Sequence, residues 1–277
     1  MKAFTIVPVS LIIGFAAVLS ACGGETGSSK PAYDYERSDS LSKDYLNELS
    51  TIRSTIETSA NLFNQLNDNS FSFTESNMLS TGKGSSASTS QKQALALGAF
   101  GSDMVYASSF GQTQSAINYL SGINGLAGKL GIQSAFDEKI MEKLSSEDST
   151  VNKSVLLTQA YIKAKDNLFS EDRAKIATMM AVGGWVESMY LASSMLGGKM
   201  EGNAPRTEFW ELADSYKSLL RMCEVFESDA DIKAIRTSLE GIKAPIKKIF
   251  SNSRKYSGSD VQAAQEALKT LRGELVG

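Results

Sequence analysis

Residues 231–250 read DIKAIRTSLEGIKAPIKKIF. Ile232, Ile235, Leu239, Ile242, Ile246 and Ile249 fall at alternating steps of three and four, the spacing that keeps apolar side chains on one stripe of a helix. A strand would instead alternate by two, and no stretch of the chain sustains that pattern. Pro245 lies inside the seam. It is expected to kink or interrupt the helix, because its ring removes an amide hydrogen and collides with the carbonyl four residues back.

The same spacing recurs on both sides. Phe209, Leu212, Tyr216, Leu219, Cys223 and Phe226 form one stripe; Val261, Ala264, Leu268, Leu271 and Leu275 form another, opened by Ser259 and Gln262 as a capping box. Upstream, Leu41, Tyr45, Leu49, Ile52, Ile56, Phe63 and Leu66 mark a long helix, followed by a Ser/Gly-rich loop over 80–86. Ser88 and Gln91 read as a second capping box, opening a helix to Ser109 that is apolar or small nearly all round and therefore expected to be buried. Gly111 breaks it, and Thr113 to Leu130 continues as another helix. Ser134 with Asp137 predicts a short helix to Leu144, Val151 to Asn167 a further one, and Ser170 with Glu171 and Asp172 the start of a helix running to about Gly197. The fold class is all-α, a bundle of about eight helices.

Two segments share a layout: LGAFGSDMVYASS (97–109) and AVGGWVESMYLASS (181–194). In each, glycine precedes a lone acid, and tyrosine follows it by three residues. Asp103 and Glu187 lie 84 positions apart (187 − 103). The repeat suggests two pseudo-repeated helical-hairpin halves. Asp103 with Tyr106, and Glu187 with Tyr190, each share a helix face. Two acids on adjacent central helices could bind a cation or basic ligand, or share a proton; alternatively each is satisfied by a neighbouring group and specifies packing.

Gln114 and Asn118, one turn apart within the set Gln112 to Tyr119, either line a pocket or cap the break at Gly111. Gly122, Gly125, Gly128 and Gly131 recur every three residues without a preceding strand, which fits close helix approach better than a phosphate cradle. The run Ile176 to Gly198 has the length of a membrane span, but Glu187 at its centre and its Gly, Ser and Thr content favour a core helix. Asp229-Ala-Asp231 opens like a calcium loop but lacks the glycine that loop requires.

Composition removes whole classes of chemistry. There is no histidine, which excludes Ser-His and Cys-His catalysis and the commonest metal ligand. With 28 basic against 31 acidic residues there is no basic excess to grip nucleic acid. No cofactor or metal site is indicated, and the chain reads as non-catalytic. The alternative is a carboxylate-based hydrolase or lyase using Asp103 and Glu187, which requires the two to meet in one cleft.

The N-terminus specifies location. Lys2 precedes an apolar run from Phe4 to Leu19, then Leu19-Ser20-Ala21-Cys22, then Gly23-Gly24-Glu25-Thr26-Gly27-Ser28-Ser29. A short, interrupted apolar core followed by small residues is the layout of a secretory signal. The tetrad resembles the bacterial lipobox. That resemblance implies cleavage before Cys22, a diacylglycerol on its thiol and acylation of its new amino group; Gly23 implies sorting to the outer membrane. Residues 1–21 are then a signal peptide, 22–39 a flexible tether reaching roughly 20–25 Å, and 40–277 one helical domain.

The segments LGAFGSDMVYASSFGQTQSAINYLSGINGLAGKLGI and MMAVGGWVESMYLASSM also resemble a group of helical lipoproteins from Bacteroidota-type bacteria. That group carries no activity to transfer, so the resemblance implies fold and location only. The sequence thus points to a lipid-anchored envelope protein, held at the membrane by Cys22, that binds an envelope protein or a small ligand.

Overall fold

Every regular element among the described residues is helical. The computed structural model describes residues 35–133, 138–146, 148, 151, 156, 174–197, 199–200, 204–251 and 254–277. The signal and lipobox, the tether up to residue 34, the Ser134/Asp137 start, all but isolated positions of the helix read over Val151 to Asn167, and the start at Ser170 lie outside them.

In chain order the helices are α1 (Tyr35–Asp68), a 3-10 turn (Glu75–Asn77), α2 (Gly82–Ser86), α3 (Ser90–Ser109), α4 (Thr113–Leu130), α5 (Glu138–Ser145), α6 (Ala174–Leu196), α7 (Arg206–Asp214), α8 (Tyr216–Glu224), α9 (Ala230–Gly241), α10 (Lys243–Phe250) and α11 (Gly258–Val276). Residues 36–277 form one compact unit. The fold is an all-α bundle, as the periodicity indicates.

Several boundaries differ from the sequence reading. Helix α1 begins at Tyr35, so 35–39 are helical rather than tether. Apolar spacing marks a helix only where a neighbour covers it, and that stretch has no apolar series to set a phase. Helix α3 is capped by Thr89, whose side chain accepts from the Lys92 amide at 3.2 Å, not by Ser88. Helix α11 opens with the capping box Ser257/Asp260, not Ser259/Gln262. Both runs offer several hydroxyls. The cap falls on the residue whose backbone is still extended, Thr89 or Ser257, while Ser259 already lies in the first turn.

The seam over 231–250 is buried along its whole length, yet the helix breaks at Ile242. Pro245 then sits in the first turn of α10, where its missing amide hydrogen costs nothing. The stripe over 209–226 breaks similarly at Ser215, whose hydroxyl donates to the Leu212 carbonyl at 2.7 Å and accepts from the Trp185 indole N–H at 3.1 Å.

The two central helices make the closest contact. A Cβ at Gly98 would stand 1.9 Å from the Met180 carbonyl oxygen, and one at Gly183 2.0 Å from that of Leu95. Further along, the Ser102 hydroxyl donates to the Gly184 carbonyl at 2.8 Å and accepts from Ser188 Oγ at 2.9 Å. The register rises together on both helices, so α3 and α6 run in the same direction with repeated positions facing each other. The repeat stops there: α4 folds back on α3, whereas α6 is covered by α11. Of the glycines spaced by three, Gly122 alone meets tight contact, against Phe100, and Gly131 ends α4 in the left-handed conformation (φ 70°).

Among the described residues no helix is long and apolar enough to cross a membrane. Helix α6 is a core helix. Cys223 is a buried free thiol, which burial pushes up to about 12, and so behaves as a small apolar residue.

Backbone contact at Gly98 leads to a direct test. Gly98→Ala must push α3 and α6 apart and is expected to destabilise by about 3 kcal/mol or more in urea unfolding. Gly101→Ala, where a Cβ would meet nothing within 4 Å, should instead gain about 0.5–1 kcal/mol from helix propensity.

Candidate functional site

Parallel packing of α3 and α6 brings Asp103 and Glu187 together. Both are fully buried, at 0 % exposure, and their carboxyl groups hydrogen-bond each other. Two adjacent buried carboxylates cannot both stay ionised without a counter-charge. Arg272 of α11 supplies one: its Nε donates to Glu187 Oε2 at 2.6 Å and its Nη2 to Oε1 at 2.7 Å, a bidentate fork. The guanidinium lies over the Tyr190 ring, 4.4 Å from its centre.

A single arginine neutralises a single carboxylate. Burial pushes Asp103 well above the ordinary aspartate range, and the Glu187 charge pushes it further; the Arg272 charge and the Leu79 amide oppose this without overcoming it. Burial raises Glu187 too, and the Arg272 fork limits that rise without reversing it. The proton therefore resides on Asp103. Its Oδ2 accepts from the Leu79 amide at 3.2 Å, and no donor points at its Oδ1, which fits a neutral acid. The cluster is then a neutral acid beside a neutral Glu187–Arg272 pair.

The remaining contacts explain why these groups are inside. The segment 74–79 leaves α1 and turns into the core, burying Met78 and Leu79. Its backbone groups need partners there. The Thr74 amide donates to the Tyr106 hydroxyl at 2.8 Å, the Asn77 carbonyl accepts from Arg272 Nη2 at 3.1 Å, the Leu79 amide donates to Asp103, and the Leu79 carbonyl accepts from the Tyr119 hydroxyl. Tyr106 also stacks on Phe73 at 5.0 Å and meets Phe63 edge-on at 5.3 Å. Side chains of α3, α4 and α11 thus clamp one irregular segment.

The two tyrosines that the repeat pairs have different tasks, Tyr106 holding the segment and Tyr190 lying under Arg272. Gln114 and Asn118 are not part of this group. They are exposed on α4 and hydrogen-bond each other at 3.2 Å. Tyr119, from the same polar set, is the member that reaches the cluster. Arg272 was not singled out from the sequence, though its position carries a signal: it lies four residues after Leu268 and four before Val276, both buried.

Among the described residues no group of three or more Cys, Asp or Glu side chains is arranged to hold a metal. Asp229 caps α9 through the Asp231 and Ile232 amides and pairs with Lys175 at 2.6 Å.

A separate apolar groove of about 80 Å³ runs beside the α3–α6 seam under α1, lined by Ile56, Ser59, Gly101, Val105, Ala181 and Gly184 among others. Neither carboxylate lines it. Its side-chain donors are committed elsewhere: Ser59 to the Thr55 carbonyl at 2.8 Å, Thr55 to Thr51 at 3.1 Å, Ser102 to Gly184, Ser188 to Ser102, and the Trp185 indole to Leu212 at 2.9 Å. Such a lining suits an apolar guest. Comparison with protein-family models, with curated proteins and with solved structures finds no match.

The position of the proton sets the pH behaviour. Because the folded state holds the Asp103 proton above the value of about 3.9 at which an unfolded aspartate releases it, stability from this group is complete below that value and declines as pH rises toward the folded value. Asp103→Asn, which keeps a donor toward Glu187, removes the dependence. Its stability relative to wild type should therefore climb with pH, by up to about 1.4 kcal/mol per unit within that window, in urea titrations from pH 4 to 8. Glu187→Gln leaves Arg272, 15 % exposed, without its charge partner and should cost about 3–5 kcal/mol.

Proposed function

We propose that this chain is a lipid-anchored, non-catalytic helical protein of the bacterial cell envelope, at the outer membrane, that holds a small apolar ligand in the groove between α1 and the α3–α6 pair. The tetrad Leu19-Ser20-Ala21-Cys22 supports the location. The observation that carries the binding role is the groove lining, whose hydroxyl and indole donors are all turned to backbone or to one another. A polar ligand would find no donor free to meet it, whereas an alkyl or aryl group loses nothing on entry.

Gly101 favours this reading over mere loose packing. Gly98 and Gly183 are required by neighbouring backbone, and Gly84 and Gly122 by the Phe100 ring, whereas Gly101 faces nothing within 4 Å and lies on the groove. Its missing side chain keeps the space open, at the cost in helix propensity that glycine carries.

The hydrolase alternative has one observation in its favour, the contact between Asp103 and Glu187. Against it, both acids are fully enclosed, Glu187 is occupied by Arg272, and both lie off the groove. A general acid or base must reach the substrate.

Two experiments test the proposal. Cys22→Ser should move the protein from the membrane to the soluble fraction and abolish lipid labelling; retention with membranes would sink the anchor. For the groove, a panel of short alkanols and alkylbenzenes should raise the melting temperature of residues 23–277. Gly101→Leu should remove that shift while leaving the protein folded; equal shifts in both proteins would place the ligand elsewhere.

A further inference from the structure

Between Glu240 and Asp260 the chain carries Lys243, Lys247, Lys248, Arg254 and Lys255 and no acid, although the whole sequence is net acidic at −3. All five are exposed. Among the described residues none of the five forms an ion pair, whereas Arg221, Arg236 and Arg272 are each tied to glutamates. Helix α10 buries Ile246 and Ile249 and turns its lysines outward.

Two half-buried aromatic rings border these cations and are joined to them. The Trp210 indole N–H donates to the Phe250 carbonyl at 2.9 Å, Arg254 lies over the Trp210 ring at 5.4 Å, and the Lys217 ammonium over the Phe250 ring at 4.8 Å. Two acids beside it are already engaged: Asp214 pairs with Lys217, and Asp260 closes the α11 capping box while feeling the charge of Lys248. The result is a positive face edged by Trp and Phe.

We propose that this face, formed by α10, the Arg254–Lys255 turn and Trp210 of α7, docks on an anionic lipid bilayer. The inference rests on the membrane location proposed above and adds an orientation to it. Cations beside an anionic surface each strengthen attachment, and indole and phenyl rings partition into the headgroup region. An anchored body also meets the bilayer at high effective concentration, so a weak face suffices to fix its orientation. A soluble polyanion would use the lysines but not the rings, and the rings favour the bilayer.

The test uses residues 23–277, which keep the compact unit 36–277 but lack the anchor. Its outcome is therefore independent of the Cys22→Ser result. Sedimentation is measured with vesicles of phosphatidylcholine alone and with 30 mol % phosphatidylglycerol. Binding is expected on the anionic vesicles only and should weaken at high salt. Each lysine removed should lower the partition coefficient roughly five-fold, so K243Q/K247Q/K248Q loses on the order of 100-fold. These sites are exposed, and unchanged urea unfolding confirms that the variant is folded. W210A on the anionic vesicles should lose affinity while keeping its salt dependence. Equal binding to both vesicle types, an unaffected triple variant, or tighter binding to heparin than to the vesicles with W210A unaffected would overturn the proposal.

Discussion

A single irregular segment entering a helical core sets the terms for the middle of this structure. Helices satisfy their own backbones; residues 74–79 cannot, because they hold only a short 3-10 turn and run from an exposed start to the buried Met78 and Leu79. Thr74, Asn77 and Leu79 find partners in Tyr106 and Asp103 of α3, Tyr119 of the adjoining α4 and Arg272 of the distant α11. Every one of those side chains then needs its own compensation in a dry interior. Asp103 obtains it by keeping its proton and donating to Glu187, and Glu187 by taking the Arg272 fork. The ionisable groups form a chain of obligations that begins with backbone amides.

That chain depends on how closely α3 and α6 approach. Asp103 and Glu187 meet because Gly98 and Gly183 let the two helices touch backbone to backbone, with Ser102 and Ser188 bonded across the seam. Bulkier residues at the crossing would separate the carboxyls and leave a charge without its acid partner. The same small residues leave a groove between the seam and α1. Structural rigidity on one side and an apolar recess on the other arise from one packing choice.

The helices were legible in the sequence because their buried stripes repeat at three and four, and the Thr113–Leu130 element matches its reading to the residue. Cap positions slipped by one or two residues wherever several hydroxyls stood together, since the choice among Ser88, Thr89 and Ser90 is made by backbone torsion. The acid pair was legible as two lone charges in small-residue helices. Its role was not, because the deciding residue, Arg272, stands 85 positions from Glu187 and 195 from Asn77. Its place on an otherwise apolar stripe was the available signal. Gln114 and Asn118 show the converse: their spacing put them on one face, but nothing in that spacing says the face is turned to solvent.

The central claim is that Asp103 keeps its proton beyond the ordinary aspartate range because the Glu187–Arg272 pair leaves no room for a second negative charge. Infrared spectroscopy of the folded protein at pH 7 tests it most directly. The account requires a protonated carboxylic-acid carbonyl band in the wild type that disappears in Asp103→Asn. A wild-type spectrum with no such band, or one in which the band survives the substitution, would contradict it.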